Sequence, residues 1–246
     1  MKQARKFYEV CREQMEATLQ QEEAIDQAAD LIAQSMAKGG VLHVFGCGHS
    51  QMFGEELCYR TGGLVPVNAI LVPQYAIYPD IRLCQLMERQ ENAAHKVLES
   101  FVTRPEDIML IVSISGRNPA GIDMAMAAHE KGMKVIALTS MDYTNKAVSR
   151  HSSGLKLKDV SDVVLDCCGI EGDAVLEDPR LPEGVRFCSP STIVGMHLLV
   201  GLMGEVVERL LDAGVNPEIW VSGNVDHGDG WNSQYLEKYR GRIDIL

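Results

Sequence analysis

The chain has 246 residues, of which 46% are hydrophobic and 23% are charged, and this length is enough for one domain with a sizeable core. Its formal net charge of -11 gives no basic surface for nucleic acid or an anionic membrane, so neither is an expected partner, and a bound anion must be held by local groups. The seven cysteines contain no CxxC pair, which argues against a disulfide framework and a thiolate zinc site.

The first predicted element is a helical arm over about residues 1–38. Apolar residues recur at helical spacing from residue 4 to residue 37, which indicates one long helix or two. Charged residues interrupt this segment, so it resembles neither a signal peptide nor a membrane span. We therefore expect a cytoplasmic protein.

Five short apolar runs follow the arm, and predicted helices separate them. The alternation predicts an α/β fold with three α-β-α layers around a doubly wound parallel sheet. A strongly apolar helix is expected at 190–214, so we predict one domain with a core over 40–214 and a tail over 215–246. The runs cover residues 41–45, 64–72, 107–115, 134–140 and 162–168, and the helices 51–61, 80–100 and 118–131.

Two of the predicted strands end in loops that could hold an anion. The first loop is GCGHS at 46–50, and the second is SISGRNP at 113–119. Ligands of such folds bind at the carboxyl ends of the strands, where N–H groups at a helix start and nearby hydroxyls can hold a phosphate without net positive charge. The first loop lacks the third glycine of a dinucleotide-binding motif and the Gly-Lys-Ser/Thr of a P-loop.

The chain resembles the sugar-isomerase (SIS) domain family over roughly residues 40–212. The resemblance is carried by the two loops and by the segments that follow them, VIALTS at 135–140 and NKAVS at 145–149. The resemblance implies a flavodoxin-like sheet and a phosphosugar ligand. The segment SGNVDHGDGWNSQYLEKYRGRI near the carboxyl terminus resembles an uncharacterised branch of small SIS proteins. The phosphate contacts that the resemblance implies are Gly48, His49, Ser50, Ser113, Ser115, Gly116, Asn118, Ser189 and Ser191.

One of these residues departs from the family pattern. His49 stands where many members carry a small residue or threonine, so it is either a ligand contact or a solvated loop residue.

The segment GEELCYRTGG at 54–63 is similar to the glutamate-bearing helix of phosphoheptose isomerases, whose second acid works at the active site. This resemblance implies Glu56 rather than Glu55, and a similar context implies His197 as its partner. An aldose–ketose isomerase moves a proton between C1 and C2, and a glutamate and a histidine suit that task because burial can bring both pKa values near neutrality. A solvated glutamate and a core histidine are the structural alternatives.

Two other functions stay open. An etherase or lyase of the N-acetylmuramic acid 6-phosphate etherase type would use Glu55 or Glu56 to remove the C2 proton and begin an elimination. A non-catalytic sensor would bind the phosphosugar and signal to a partner.

We expect neither a metal nor another cofactor. Some phosphoheptose isomerases bind zinc through a histidine one turn before the active glutamate, and the matching residue here is Met52. The spacing of His43, Cys47 and His49 matches no common metal site, and His43 lies within a predicted strand.

The apolar helices at 4–37 and 190–214 offer surfaces for a homodimer or larger homo-oligomer with composite sites. The tail contains Trp231, which is costly to leave in water, so we expect the tail to dock beside the ligand cleft of its own or a neighbouring subunit. There it would anchor the assembly or contact the sugar through Asn224, His227 or Asp229.

Overall fold

Five short strands, nearly all of whose residues are buried, form the centre of the computed structural model, which describes residues 2–246. Their order is β2-β1-β3-β4-β5, and every neighbouring pair is parallel. This order confirms the predicted flavodoxin-like, doubly wound α/β fold, and the chain direction across the sheet reverses between β1 and β3. The strands are β1 (Leu42–Gly46), β2 (Val67–Ala69), β3 (Ile108–Val112), β4 (Lys134–Thr139) and β5 (Val163–Asp166).

Helices cover both faces of the sheet and form the outer two of three layers. One face packs against α2, α3, α8 and part of the tail, and the other against α5 and α6. No helix within residues 2–246 has the length and hydropathy that crossing a membrane requires. The helices are α1 (Lys2–Thr18), α2 (Glu22–Ala37), α3 (Met52–Leu57), α4 (Ile81–Met87), α5 (Ala93–Glu99), α6 (Pro119–Glu130), α7 (Met141–Lys146), α8 (Ser191–Asp212) and α9 (Gly228–Lys238).

The amino-terminal arm is two helices, and Gln21 stabilises the turn between them. The Gln21 amide nitrogen donates to the carbonyl oxygen of Asp166 at 2.7 Å, and its amide oxygen accepts from the Asp166 N–H at 2.7 Å. This pair of bonds attaches the turn to the end of β5. Both arm helices pack against α8.

The predicted helix over 80–100 is two short helices, α4 and α5. Asn92 between them has a φ of 63°, a left-handed conformation that asparagine tolerates better than most residues. The Asn92 N–H donates to Asp123 Oδ2 at 2.6 Å, which anchors the break on α6. Residues 88–92 between the two helices are therefore not helical.

The tail over 215–246 packs against the amino ends of the strands in its own subunit. The Gly62 N–H donates to the carbonyl of Trp220 at 2.8 Å, and the Trp220 N–H donates to the carbonyl of Gly63 at 3.0 Å. The beginning of the apolar run at 64–72 therefore lies beside the tail, and the strand β2 is shorter than predicted.

The end of the tail is held by a buried ion pair between Arg242 and Asp107, the residue before β3. The loops after β1 and β3 lie at the opposite, carboxyl ends of the strands. The expectation that the tail lies beside the cleft of its own subunit is therefore wrong, because its anchoring contacts are at the other edge of the sheet. Asn224, His227 and Asp229 are exposed to solvent.

Candidate functional site

The loop after β1 turns tightly because it contains glycines at two sterically demanding positions. A Cβ atom at Gly46 would lie 2.4 Å from the carbonyl oxygen of Ser50, and Gly48 has a φ of 61°. The Ser50 N–H donates to the carbonyl of Cys47 at 3.1 Å. The turn therefore brings Ser50 back over the end of β1.

The loop after β3 is held by its carbonyl groups. The carbonyls of Ile114, Gly116 and Arg117 accept backbone N–H groups of Ser140, Leu157 and Arg150 at 2.9, 2.8 and 2.9 Å. In a trans peptide the N–H of each residue points in the opposite direction to the carbonyl of the residue before it. The N–H groups that follow these three carbonyls therefore point away from the residues that bind the carbonyls. Among residues 2–246, the amides of Ser115, Arg117 and Asn118 have no acceptor.

Gly116 is required in this loop for two reasons. Its φ is 59°, which is costly for most other residues, and a Cβ atom there would lie 2.7 Å from Thr144 Oγ1 and 2.9 Å from Thr139 Oγ1. These two hydroxyls contact each other at 2.8 Å. Residues at the end of β4 and in α7 thus pack against the second loop.

The two loops meet in a cleft of about 210 Å³ at the carboxyl ends of the strands, which we call the serine cleft. It brings together Ser50, Ser113, Ser115 and Asn118, four of the predicted phosphate contacts. Within residues 2–246, no hydrogen-bond partner is present for the three serine hydroxyls. The residues lining the cleft are Phe45, Cys47, Ser50, Glu88, Val112, Ser113, Ile114, Ser115, Asn118, Ala120, Gly121, Tyr143 and Asp173.

The cleft also contains Glu88, Tyr143 and Asp173, which the sequence did not predict as site residues. Tyr143 follows the VIALTS segment, which belongs to the predicted signature, so its proximity could have been anticipated. Asp173 lies within the polar stretch 169–189. Glu88 has no signal in the sequence, since it belongs to a predicted continuous helix.

Glu88 is largely shielded from solvent, with 22% of its side chain exposed. Burial raises the pKa of its carboxyl, while Arg89, Arg150 and a hydrogen bond from Asn118 act in the opposite direction. Arg89 Nε is 3.7 Å from the Glu88 carboxylate, and Arg150 also donates to the side-chain oxygen of Asn118 at 3.0 Å. The carboxyl therefore lies in a poorly hydrated position within reach of cationic groups.

Asp173 lies where the loop after β5 approaches the cleft. Its Oδ2 atom accepts hydrogen bonds from the hydroxyls of Ser189 and Ser191, whereas its buried Oδ1 atom has no partner within residues 2–246. Neither serine lines the cleft. Their hydroxyls hold Asp173 in place, and as phosphate contacts the two serines stay predictions.

Three other predicted phosphate contacts do not line the cleft. Gly48 and Gly116 shape the two loops through their positive φ angles, and His49 is exposed.

Glu56 lies outside the serine cleft. On the short helix α3, Phe53 and Leu57 face the core, whereas Glu55 is exposed and Glu56 pairs with Arg60 at 3.1 Å on the surface. The sequence correctly placed both acids on a helix after the first loop, but this helix does not direct Glu56 into the cleft of its own subunit.

His197 also lies away from the serine cleft. It is on the side of α8 that faces the arm, where it contributes to a groove of about 470 Å³ with Phe7, Met15, Leu19 and Ile193. One chain therefore does not bring His197 and Glu56 together with the serine cleft.

No group of three or more potential metal-ligating side chains occurs within residues 2–246, and the absence of a metal requirement remains a prediction. His43 is buried, with Nε2 3.2 Å from Asp107 and Nδ1 3.2 Å from Asn68. Cys47 lines the cleft, and burial raises the pKa of its thiol well above the ordinary value. Met52 is exposed at the start of α3.

Comparison with protein families matches residues 6–140 to the SIS domain. The chain is 36% identical over 241 residues to a UPF0309 protein of Geobacillus kaustophilus, which covers 98% of this chain and 95% of the relative. A UPF0309 protein of Caldanaerobacter subterraneus subsp. tengcongensis is 40% identical over 225 residues, which covers 91% of this chain and 92% of the relative.

Among solved structures, the fold is similar to that of a phosphoheptose isomerase from Francisella tularensis, with a TM-score of 0.54. The match covers 84% of this chain and 97% of that chain at 18% identity. At this level of identity the similarity concerns the fold alone.

Proposed function

This chain belongs to the SIS domain family, and on that premise we propose that it binds a phosphosugar in the serine cleft. The observation that carries the proposal is the convergence of Ser50, Ser113, Ser115 and Asn118 in one cleft at the carboxyl ends of β1 and β3. The strand order reverses between these two strands, which is where open α/β sheets bind their ligands.

The phosphate would be held by neutral donors. Among the described residues, the hydroxyls of Ser50, Ser113 and Ser115 have no hydrogen-bond partner, and the unbonded amides of the second loop lie at the amino end of α6. Backbone N–H groups at a helix start and neighbouring hydroxyls bind anions through their partial positive charges. An acidic protein can therefore bind a phosphate without a basic patch.

The remaining walls of the cleft suit the sugar part of the ligand. Glu88, Asp173 and Tyr143 carry oxygen atoms that accept hydrogen bonds from hydroxyl groups. A ligand with a phosphate at one end and several hydroxyls at the other fits this distribution of donors and acceptors.

The reaction that we propose is the isomerisation of an aldose phosphate to a ketose phosphate. The phosphoheptose isomerase of Francisella tularensis shares the fold, which makes this reaction class the first to test. If Glu56 and His197 act in it, they must reach a cleft of another subunit, because neither lines the cleft of its own.

A homo-oligomer is part of the proposal. The groove between α1 and α8 is almost entirely apolar at its surface and contains exposed Tyr8 and Leu19. A second copy of the chain that covered this groove would remove apolar surface from water. Sedimentation velocity of the purified protein would test this expectation, and a monomer at micromolar concentration would contradict it.

Ligand binding is tested by thermal unfolding with a panel of sugars and their phosphates, including glucose 6-phosphate, ribose 5-phosphate, sedoheptulose 7-phosphate and N-acetylmuramic acid 6-phosphate. A ligand that binds only the native state raises Tm, so at least one phosphosugar should raise it while the corresponding free sugar does not. A panel without any phosphate-dependent shift would contradict the proposal. Product analysis then separates isomerisation, which yields a ketose phosphate, from elimination, which releases lactate.

A further inference from the structure

Glu88 is the glutamate that the fold places in the serine cleft. It lines the same cleft as Ser50, Ser115 and Asn118, whereas Glu56 pairs with Arg60 on the outer surface of α3. A proton-transfer group must lie within hydrogen-bond reach of the reacting carbon, so location in the cleft is the first requirement.

The main chain holds Glu88 from two sides. Its N–H donates to the carbonyl of Cys84 at 3.0 Å at the end of α4, and its carbonyl accepts the Ala120 N–H at 3.2 Å in the first turn of α6. The same first turn follows Asn118, one of the predicted phosphate contacts. The position of the Glu88 backbone is thus tied to the position of the phosphate-binding loop.

The surroundings of Glu88 suit proton transfer. Its side chain is mostly buried between the two loops, and burial raises the pKa of the carboxyl toward the operating pH. Arg89 Nε is 3.7 Å from the Glu88 carboxylate, which is a long contact, and the more distant charge of Arg150 also acts on it. A weakly paired carboxylate retains its ability to accept a proton.

We propose that Glu88, rather than Glu56, removes and returns the substrate proton in the serine cleft. This inference rests on the proposed isomerase function. The Glu88 carboxylate takes the proton from C2, and the C2–H electron pair forms the C1–C2 double bond as the carbonyl electrons move to O1. The proton on O2 passes to O1, the C2 carbonyl forms, and Glu88 returns its proton to C1.

The test measures exchange of carbon-bound hydrogen in D₂O by ¹H NMR. The probes are fructose 6-phosphate, ribulose 5-phosphate and sedoheptulose 7-phosphate, each at saturating concentration. The variants are Glu88→Gln, Glu56→Gln and, as a matched control, Glu99→Gln on the exposed face of α5. Thermal shifts with the same probes report binding for every variant.

Glu88→Gln should slow exchange by about 100-fold or more while the phosphosugar-dependent thermal shift persists. Glu99→Gln should exchange at the wild-type rate. If wild type exchanges and Glu88→Gln keeps that rate while Glu56→Gln loses it, the assignment to Glu88 is overturned and the isomerase function stands. If wild type binds a probe but catalyses no exchange with any of them, both the isomerase function and the role of Glu88 are overturned.

Discussion

The carbonyl oxygen of Glu88 accepts a hydrogen bond from the N–H of Ala120 at 3.2 Å. This contact joins the end of α4 to the first turn of α6, two elements that flank the serine cleft from different sides. Because α6 begins directly after the second loop, a shift of that loop would also shift Glu88. The position of Glu88 and the position of the second loop are therefore linked through α6.

Ser115→Ala should weaken binding of any phosphosugar by about 1–3 kcal/mol, because a hydrogen bond to a charged phosphate is lost. Isothermal titration calorimetry with the ligand identified by thermal shift would measure this change. The matched control is Ser233→Ala on α9, whose hydroxyl bonds only to the carbonyl of Gly230. Equal affinity of wild type and Ser115→Ala would remove the second loop from the site.

Gly116→Ala should lower both stability and ligand affinity. The added methyl would require a left-handed alanine and would also clash with Thr139 and Thr144. Gly154→Ala separates the backbone strain from the steric clash. Gly154 also has a positive φ, of 75°, but a Cβ atom there would have no neighbouring atom within 4 Å. We expect Gly154→Ala to cost roughly 1 kcal/mol in urea unfolding and Gly116→Ala clearly more. Equal losses would mean that the contact with the threonines is unimportant.

Glu88→Gln should raise thermal stability at pH 8. Burial raises the pKa of Glu88 above its ordinary value of 4.5, so the folded state binds this proton more tightly than the unfolded state does. The associated stability is present below pH 4.5 and is lost as pH rises through the folded-state pKa. The gain in stability from the substitution should therefore disappear near pH 4. A Glu88→Gln protein less stable than wild type at pH 8 would indicate a carboxylate held by its partners.

Asp107→Asn should destabilise the protein by about 3–5 kcal/mol at pH 7, because Arg242 would lose its buried partner. Burial opposes ionisation of Asp107, but hydrogen bonds from His43, Arg242 and the backbone lower its pKa to about 2. The stability that ionised Asp107 contributes is therefore present above pH 3.8, its ordinary pKa, and is lost as pH falls toward 2. The difference in unfolding free energy from wild type should narrow below pH 3.8.

The control for this ion pair is Glu237→Gln, which breaks an exposed pair with Arg240 in the same tail. Such surface pairs contribute about 0–1 kcal/mol, so its stability should stay close to that of wild type. Phosphosugar binding should be unaffected in either variant, because the tail lies at the opposite edge of the sheet. If Asp107→Asn lost phosphosugar binding at a temperature where it is folded, the tail contacts and the serine cleft would not be independent, and this prediction would be wrong.

The sequence predicted the parallel sheet and the positions of the loops after β1 and β3. Apolar runs separated by helices predict parallel strands, and parallel strands place all of their carboxyl ends at one edge. Ser50 and Ser115 both follow strands at that edge, and the pairing of β1 with β3 in the folded sheet makes them neighbours. The same reasoning could not decide how far the helix after Ser50 would turn Glu56 outward.

Local sequence and tertiary contacts had separate roles in this protein. Hydrophobic periodicity and glycine positions were enough to predict the apolar runs of the strands, the two loops and the long helix α8, because these signals lie in the local sequence. They did not predict the length of β2, since the tail lies beside the beginning of its apolar run. The break after Glu88 depended on contacts from distant residues, since Asp123 binds the left-handed Asn92 and Ala120 binds the Glu88 carbonyl. The ion pair of Arg242 with Asp107 likewise joins residues that are 135 positions apart, and it directs the tail to the amino edge of the sheet. Only the folded chain could decide these placements, because each depends on a polar partner that periodicity does not identify.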